Sequence, residues 1–310
     1  MKKLIIALLV LGLFLAACED RGGQAEGEKE LPFIGGTTGL LVSFAQDAPP
    51  AEVYDGGDFP FDIEIKLQND GERNIARDDI TVEITGIDPA EFDKKPADFI
   101  LTPADDLEAK LKDTQGNIIE SNPEYVNVSD LNHKQYVTGT LRYPVFASIC
   151  YRYGTDAVGT ICIKENLYET GGACEVVGEK TILSSGAPLQ ITGLQESIAG
   201  ANKINFWFAI EHKGNGKILK QDTQCNKDNL RGIDNKVFVS VSTGMAGLEC
   251  RTLRDGTQTS GFVTLVDGSA TVSCTQTLTT PGTYIKTVDI KAEYDYQEDI
   301  ATSILLIHSE

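Results

Sequence analysis

Phe59-Pro60-Phe61-Asp62-Ile63-Glu64-Ile65-Lys66-Leu67 alternates apolar and polar side chains over nine positions. Successive side chains of an extended chain point to opposite faces, so this period of two predicts a strand buried on one side. The stretch runs into Gln68-Asn69-Asp70-Gly71, a turn cluster in which Gly71 is expected to supply a positive φ. Ile204-Asn205-Phe206-Trp207-Phe208-Ala209-Ile210-Glu211-His212-Lys213-Gly214 has the same shape, and Gly214 lies 143 residues after Gly71. Trp207 is expected in the core of its half, because so large a ring contributes most when buried.

A second pair of segments recurs at the same distance. Residues 143–153 and 288–296 both close in Tyr-x-Tyr, and Tyr294 lies 143 residues after Tyr151. An apolar segment follows each, at 160–163 and 303–306, which predicts a long final hairpin in both copies. Two matches at one offset argue for an internal duplication. In the second copy, further β-branched or aromatic runs occupy 236–241, 248–252, 262–266, 270–274 and 284–296, with Asp267-Gly268 as a hairpin turn. Many short strands with almost no helical periodicity predict an all-β chain of two tandem antiparallel β-sandwiches, immunoglobulin-like or fibronectin-like. The first copy carries an insertion over about residues 86–132 that reads as partly helical. There Asp88 fits an N-cap, Pro89 the first helical position and Glu91 a capping box, and Thr102-Pro103 opens a second turn before Leu107 to Leu111.

The strand, Asn-x-Gly-like turn and strand at Leu67 to Ile75, repeated at Ile210 to Ile218 with His212 in place of the Asn, resembles the tandem Ig-like domains, CARDB type included, of prokaryotic and especially archaeal surface proteins. That resemblance implies an envelope, adhesion or assembly role without catalysis.

The start of the chain points the same way. Met1-Lys2-Lys3 precedes an apolar run from Leu4 to Ala17, then Cys18 and the acids Glu19 and Asp20. A positive start, a short apolar stretch and small residues before a cut read as a signal peptide over 1–17. Leu15-Ala16-Ala17-Cys18 resembles the lipobox of prokaryotic lipoproteins, which implies lipidation of Cys18 and a membrane anchor. The rest of 18–35 begins as a charged, glycine-bearing stretch with no residue able to build a core, and is expected to be a flexible tether. Domain 1 is then expected over 36–180 and domain 2 over 181–310.

Removing 1–17 deletes Lys2 and Lys3 and no acid, which takes the net charge from −19 to −21. Nucleic-acid binding depends on Lys and Arg neutralising phosphates, so it is not expected of this chain. Three histidines, His133, His212 and His308, stand apart from one another and from the cysteines, which disfavours zinc. There is no G-x-S-x-G, H-E-x-x-H or G-x-x-x-x-G-K-[ST] sequence, and no catalytic residue is assigned. Asp55, Asp58 and Asp62 are the candidate calcium ligands, with Asp78-Asp79 and Asp105-Asp106 as further acid pairs. Asn127-Val128-Ser129 is a glycosylation sequon.

With Cys18 set aside for lipid, Cys150, Cys162, Cys174, Cys225, Cys250 and Cys274 form the disulfide candidates of an exported protein. Three fall to each copy, so complete pairing requires a bridge between the copies. Cys150–Cys162, Cys250–Cys274 and Cys174–Cys225 is the expected scheme, with Cys162–Cys174 and free thiols as rivals. Function reads as a non-enzymatic, lipid-anchored protein on the outer face of the cell membrane that touches an envelope protein or a glycan. The alternative is a solute-binding or hydrolytic lipoprotein with its site between the domains.

Overall fold

The computed structural model of the protein describes residues 32–226, 230–279 and 282–309. Cys18 and the leader lie outside the described residues. Residues from Pro32 onward form one compact unit.

Ten strands carry the architecture: β1 (Leu40–Phe44), β2 (Phe61–Asn69), β3 (Ile80–Thr85), β4 (Glu124–Leu131), β5 (Thr140–Ile163), β6 (Leu189–Gly200), β7 (Lys203–His212), β8 (Lys236–Ser242), β9 (Ser269–Thr277) and β10 (Tyr284–Ile307). β1, β2 and β4 form one antiparallel sheet with β2 in the middle. β6, β7 and β9 form a second in the same order, extended by Gly178–Glu179 and Leu248–Cys250 at its edges. The largest sheet runs Ser260–Thr264, β8, β10, β5, β3, Ile100–Leu101. Ile182–Ser184 also pairs with β5, and Lys217–Leu219 and Glu52–Tyr54 with β10.

The chain is nearly all β, and its two halves share one strand order. Leu40 pairs with Asn69 as Leu189 pairs with His212. Ile65 pairs with Val126 as Phe208 pairs with Val272. Thr81 pairs with Cys150 as Phe238 pairs with Glu293. In each case the residues on β2 and β7, or on β5 and β10, are 143 apart, so the offset seen in the sequence is a property of the sheets.

The expected final hairpins do not form. Residues 140–163 are one strand of 24 residues, as are 284–307, and the two pair antiparallel from Thr140–Ile307 to Ile163–Tyr284. At about 3.3 Å per residue this ladder is roughly 80 Å long. The turn expected between Tyr153 and the apolar segment is absent: the φ of Gly154 is not in the left-handed region, and a Cβ there would lie 1.9 Å from Arg73 Nη1. The glycine makes room for a guanidinium that reaches across to Glu293 at 3.0 Å. Odd-numbered residues from Val145 to Ile163 are buried without interruption, which a turn would have broken. The boundary expected at residue 180 does not interrupt the central sheet: β5 pairs with β3 in its first half and with Ile182–Ser184 in its second.

Core packing follows the period of two. Phe61, Ile63, Ile65 and Leu67 on β2 and Ile204, Phe206, Phe208 and Ile210 on β7 are buried and join one cluster with Val145, Ala147 and Ile149 of the central sheet. Each such side chain contributes about 1.5–3 kcal/mol by leaving water. Trp207 corrects the expectation made for it: it occupies the odd phase of β7 and is 36% exposed.

Within 86–132, Asp88 Oδ1 accepts from Ala90 N at 3.0 Å and starts a 3₁₀ turn, Pro89–Phe92. Phe92 is fully buried there, edge-on to Phe61 and Tyr143. The second turn lies at Pro96–Phe99, earlier than Thr102-Pro103; Leu107 instead bridges to Ile75 as extended chain. β4 also falls in this segment and is the counterpart of β9, so the duplicated framework resumes before residue 132.

The bridges are Cys150–Cys225, Cys162–Cys174 and Cys250–Cys274, with Cα separations of 6.0, 5.8 and 4.0 Å. Cys250–Cys274 is as expected, and one bridge does cross between copies, but the partners of the other four differ. Cys150 and Cys162 sit twelve residues apart on one strand, about 40 Å, beyond any disulfide. Cys162 takes Cys174 from the following loop, and Cys150 takes Cys225.

Candidate functional site

The offset of 143 carries the Tyr-x-Tyr of β5 onto that of β10, and antiparallel pairing then sets Tyr151 opposite Tyr296 and Tyr153 opposite Tyr294. The four rings are fully buried and meet edge to face in a closed cycle. Centroids lie 5.8 Å apart for Tyr151–Tyr153, 5.6 Å for Tyr151–Tyr296, 6.2 Å for Tyr294–Tyr296 and 6.4 Å for Tyr153–Tyr294. Such contacts add about 0.5–1.5 kcal/mol each beyond area burial.

Gly71 was expected as a turn glycine with positive φ, and neither it nor Gly214, 143 residues on, has one. A Cβ on Gly71 would lie 1.9 Å from Tyr153 Oη, and one on Gly214 2.2 Å from Tyr296 Oη. Each glycine therefore lets a strand end close over a tyrosine hydroxyl. Tyr151 Oη donates to Glu298 Oε1 at 2.8 Å and accepts from Leu40 N at 3.1 Å. Tyr296 Oη accepts from Gly216 N at 2.7 Å and is 3.0 Å from His212 Nε2. Burial pushes the Tyr296 hydroxyl up to about 12 and raises the other three further. All four stay protonated near neutrality and act as hydrogen-bonding groups.

On the opposite face of the sheet Arg152 stands opposite Asp295. A cavity of about 280 Å³ opens there, lined among others by Asp78, Asp79, Arg152, Asp222, Thr223 and Asp295. Asp295 is buried and accepts from Thr223 N at 2.8 Å, Thr223 Oγ1 at 3.0 Å and Asp222 N at 3.1 Å. Burial raises its pKa against those bonds. Arg152 Nη1 donates to Asp222 at 2.7 Å. These groups fasten the 222–225 loop, whose Cys225 reaches Cys150. Asp295 is engaged by its own chain, while Asp78 and Asp79 also line the cavity.

The calcium candidates are placed apart. Asp55 is fully buried and accepts from Val137 N, Ser309 N, Ser309 Oγ and His308 Nδ1 at 2.7–2.9 Å. Burial pushes its carboxyl up, but the bonds from Ser309, His308 and Val137 outweigh it and hold the pKa well below the usual range. Asp62 accepts from Asp130 N at 2.8 Å, while Asp58 is exposed. Among the described residues no group of three or more His, Cys, Asp or Glu is arranged to hold a metal ion. Asn127 and Ser129 of the sequon are exposed, on β4 rather than on a loop.

Sequence reasoning missed two buried charged groups, Lys164 and Glu196, and the half-buried Glu298. Lys164 donates to the carbonyls of Glu169 and Gly171, both at 2.7 Å, and so gathers the loop that carries Cys174. Glu196 is 1% exposed and accepts from Cys162 N at 2.8 Å with Lys180 at 3.4 Å. Glu298 lies under the Tyr151 hydroxyl. Nothing in their spacing distinguishes them from the many surface charges. No known protein family matches the chain, and no curated protein matches its sequence.

Proposed function

We propose that the chain is a non-enzymatic, lipid-anchored protein of the outer cell surface, whose body is two fused sandwiches of the Ig-like class. The observation that carries this reading is the set of three disulfides in a chain that starts with a lipobox-type leader. Such bridges persist in oxidising compartments, and a lipid on Cys18 would hold the body at a membrane. Each five-strand set, β1 to β5 and β6 to β10, has the strand count and antiparallel pairing of a small sandwich. The continuous ladder of β5 and β10 removes the hinge that tandem domains ordinarily have. A stiff body of that length suits a spacer that presents end loops to an envelope protein or a glycan away from the headgroups.

A solute-binding or hydrolytic role is the second reading, favoured by the acid-lined cavity beside Arg152. Fractionation tests the lipid anchor, which both readings share. Wild-type protein is expected in the membrane fraction and open to protease on intact cells, and Cys18→Ser is expected to be released or to remain unprocessed. Membrane retention of Cys18→Ser at the mature mass would remove the anchor from the account.

A further inference from the structure

We infer that the crevice above Glu298, at the junction of the copies, is a binding site for a small organic molecule bearing a protonated primary amine. The crevice has a volume of about 270 Å³. It is walled by residues 37–42, Pro188 and the Lys213-Gly214-Asn215 turn, with Tyr296 and Glu298 also lining it.

The duplication supplies the comparison. The offset carries Glu72 onto Asn215, Asn69 onto His212 and Thr155 onto Glu298. In the first copy the corresponding space is filled by the chain itself. Glu72 accepts backbone N–H groups from Gly186 at 2.6 Å and from Ile34 and Gly35 at 2.8 Å. The fit is tight, for a Cβ on Gly186 would lie 2.7 Å from Gly35 O. Thr155 needs no ligand, because its hydroxyl donates to Leu189 O at 2.6 Å.

In the second copy the carboxylate has moved from the turn to the floor and the space above it is open. Among the described residues Tyr151 Oη is the hydrogen-bond donor to Glu298, and it serves one oxygen. Burial raises the pKa of Glu298, so a positive ligand that donates N–H would relieve the cost of its charge. Lys213, at the rim, is 3.2 Å from Glu211 and leaves that role to a ligand. A bare calcium ion would want six to eight oxygens, which one carboxylate and a tyrosine hydroxyl do not provide. The acidic surface would raise the local concentration of any cation.

Glucosamine and butylamine test the site, with N-acetylglucosamine as a neutral match in shape, by calorimetry and by amide NMR shifts on the purified protein. Saturable binding of an amine is expected, with shifts at Gly214 and Asn215, at least tenfold weaker binding of N-acetylglucosamine, and loss of tenfold or more in both Glu298→Gln and Glu298→Thr. Thr is the residue of the other copy, and Gln keeps the shape should Thr impair folding. Absence of saturable binding by either amine, or binding unchanged in a folded Glu298 variant, would overturn the assignment. None of these outcomes depends on whether Cys18 carries lipid.

Discussion

Arg152 stands directly opposite Asp295 in the register of the two long strands, and Asp295 is also the residue 143 positions after Arg152. A repeat offset and an antiparallel register can both hold at one pair only where the copies are related by a local two-fold. This pair therefore marks the local two-fold of the two long strands. The tyrosine cycle lies on one face of that point and the loop bearing Cys225 on the other.

Closure over the tyrosines should be intolerant of a single added methyl. Gly71→Ala and Gly214→Ala are each expected to lower stability by about 1–3 kcal/mol in urea unfolding, the usual cost of overpacking. Tyr153→Phe should recover part of the loss in Gly71→Ala and none of that in Gly214→Ala. Equal stability of both alanine variants and the wild type would show that the strand ends do not close as described.

Peptide mapping without reduction should return Cys150–Cys225, Cys162–Cys174 and Cys250–Cys274. Closed loops spanning 75, 12 and 24 residues order the entropic contributions, so removing Cys150–Cys225 should cost most, about 4 kcal/mol. Recovery of Cys150–Cys162 would contradict an unbroken β5.

Glu196 should make the fold less stable as pH rises. Burial, set against its bonds from Cys162 N and Lys180, moves its pKa from the ordinary 4.5 up to about 7. Between those values the folded state binds more proton than the unfolded one, so stability is lost progressively from about pH 4.5 to 7. Glu196→Gln is expected to flatten that slope and to raise the urea midpoint at pH 8 relative to the wild type. A slope unchanged by the substitution would place the titrating group elsewhere.

Much of this framework was legible from residue order. β2 and β7 announce themselves because each buries one face against a neighbouring sheet, which forces the period of two. The phase of β7 even contained the answer for Trp207, since Ile204, Phe206, Phe208 and Ile210 fill the inward positions. The continuity of β5 and β10 was hidden because the stretch after each Tyr-x-Tyr, which holds Gly154 in one copy and Glu298 in the other, reads as a turn. Their reasons are tertiary: room for Arg73, and a carboxylate under Tyr151. Once that continuity was misread, Cys150–Cys162 and Cys174–Cys225 followed wrongly, although Cys250–Cys274 did not depend on it and parity alone required a bridge between copies. Glu298 carried no local signal, because its setting is made by strands from both ends of the chain.

The most direct test of an exported, lipid-anchored protein is the mass of the N-terminal peptide of the mature chain. The expected result is a peptide that begins at Cys18 and carries the added mass of a lipid. A mature chain that begins elsewhere, or an unmodified Cys18 at its start, would contradict the account.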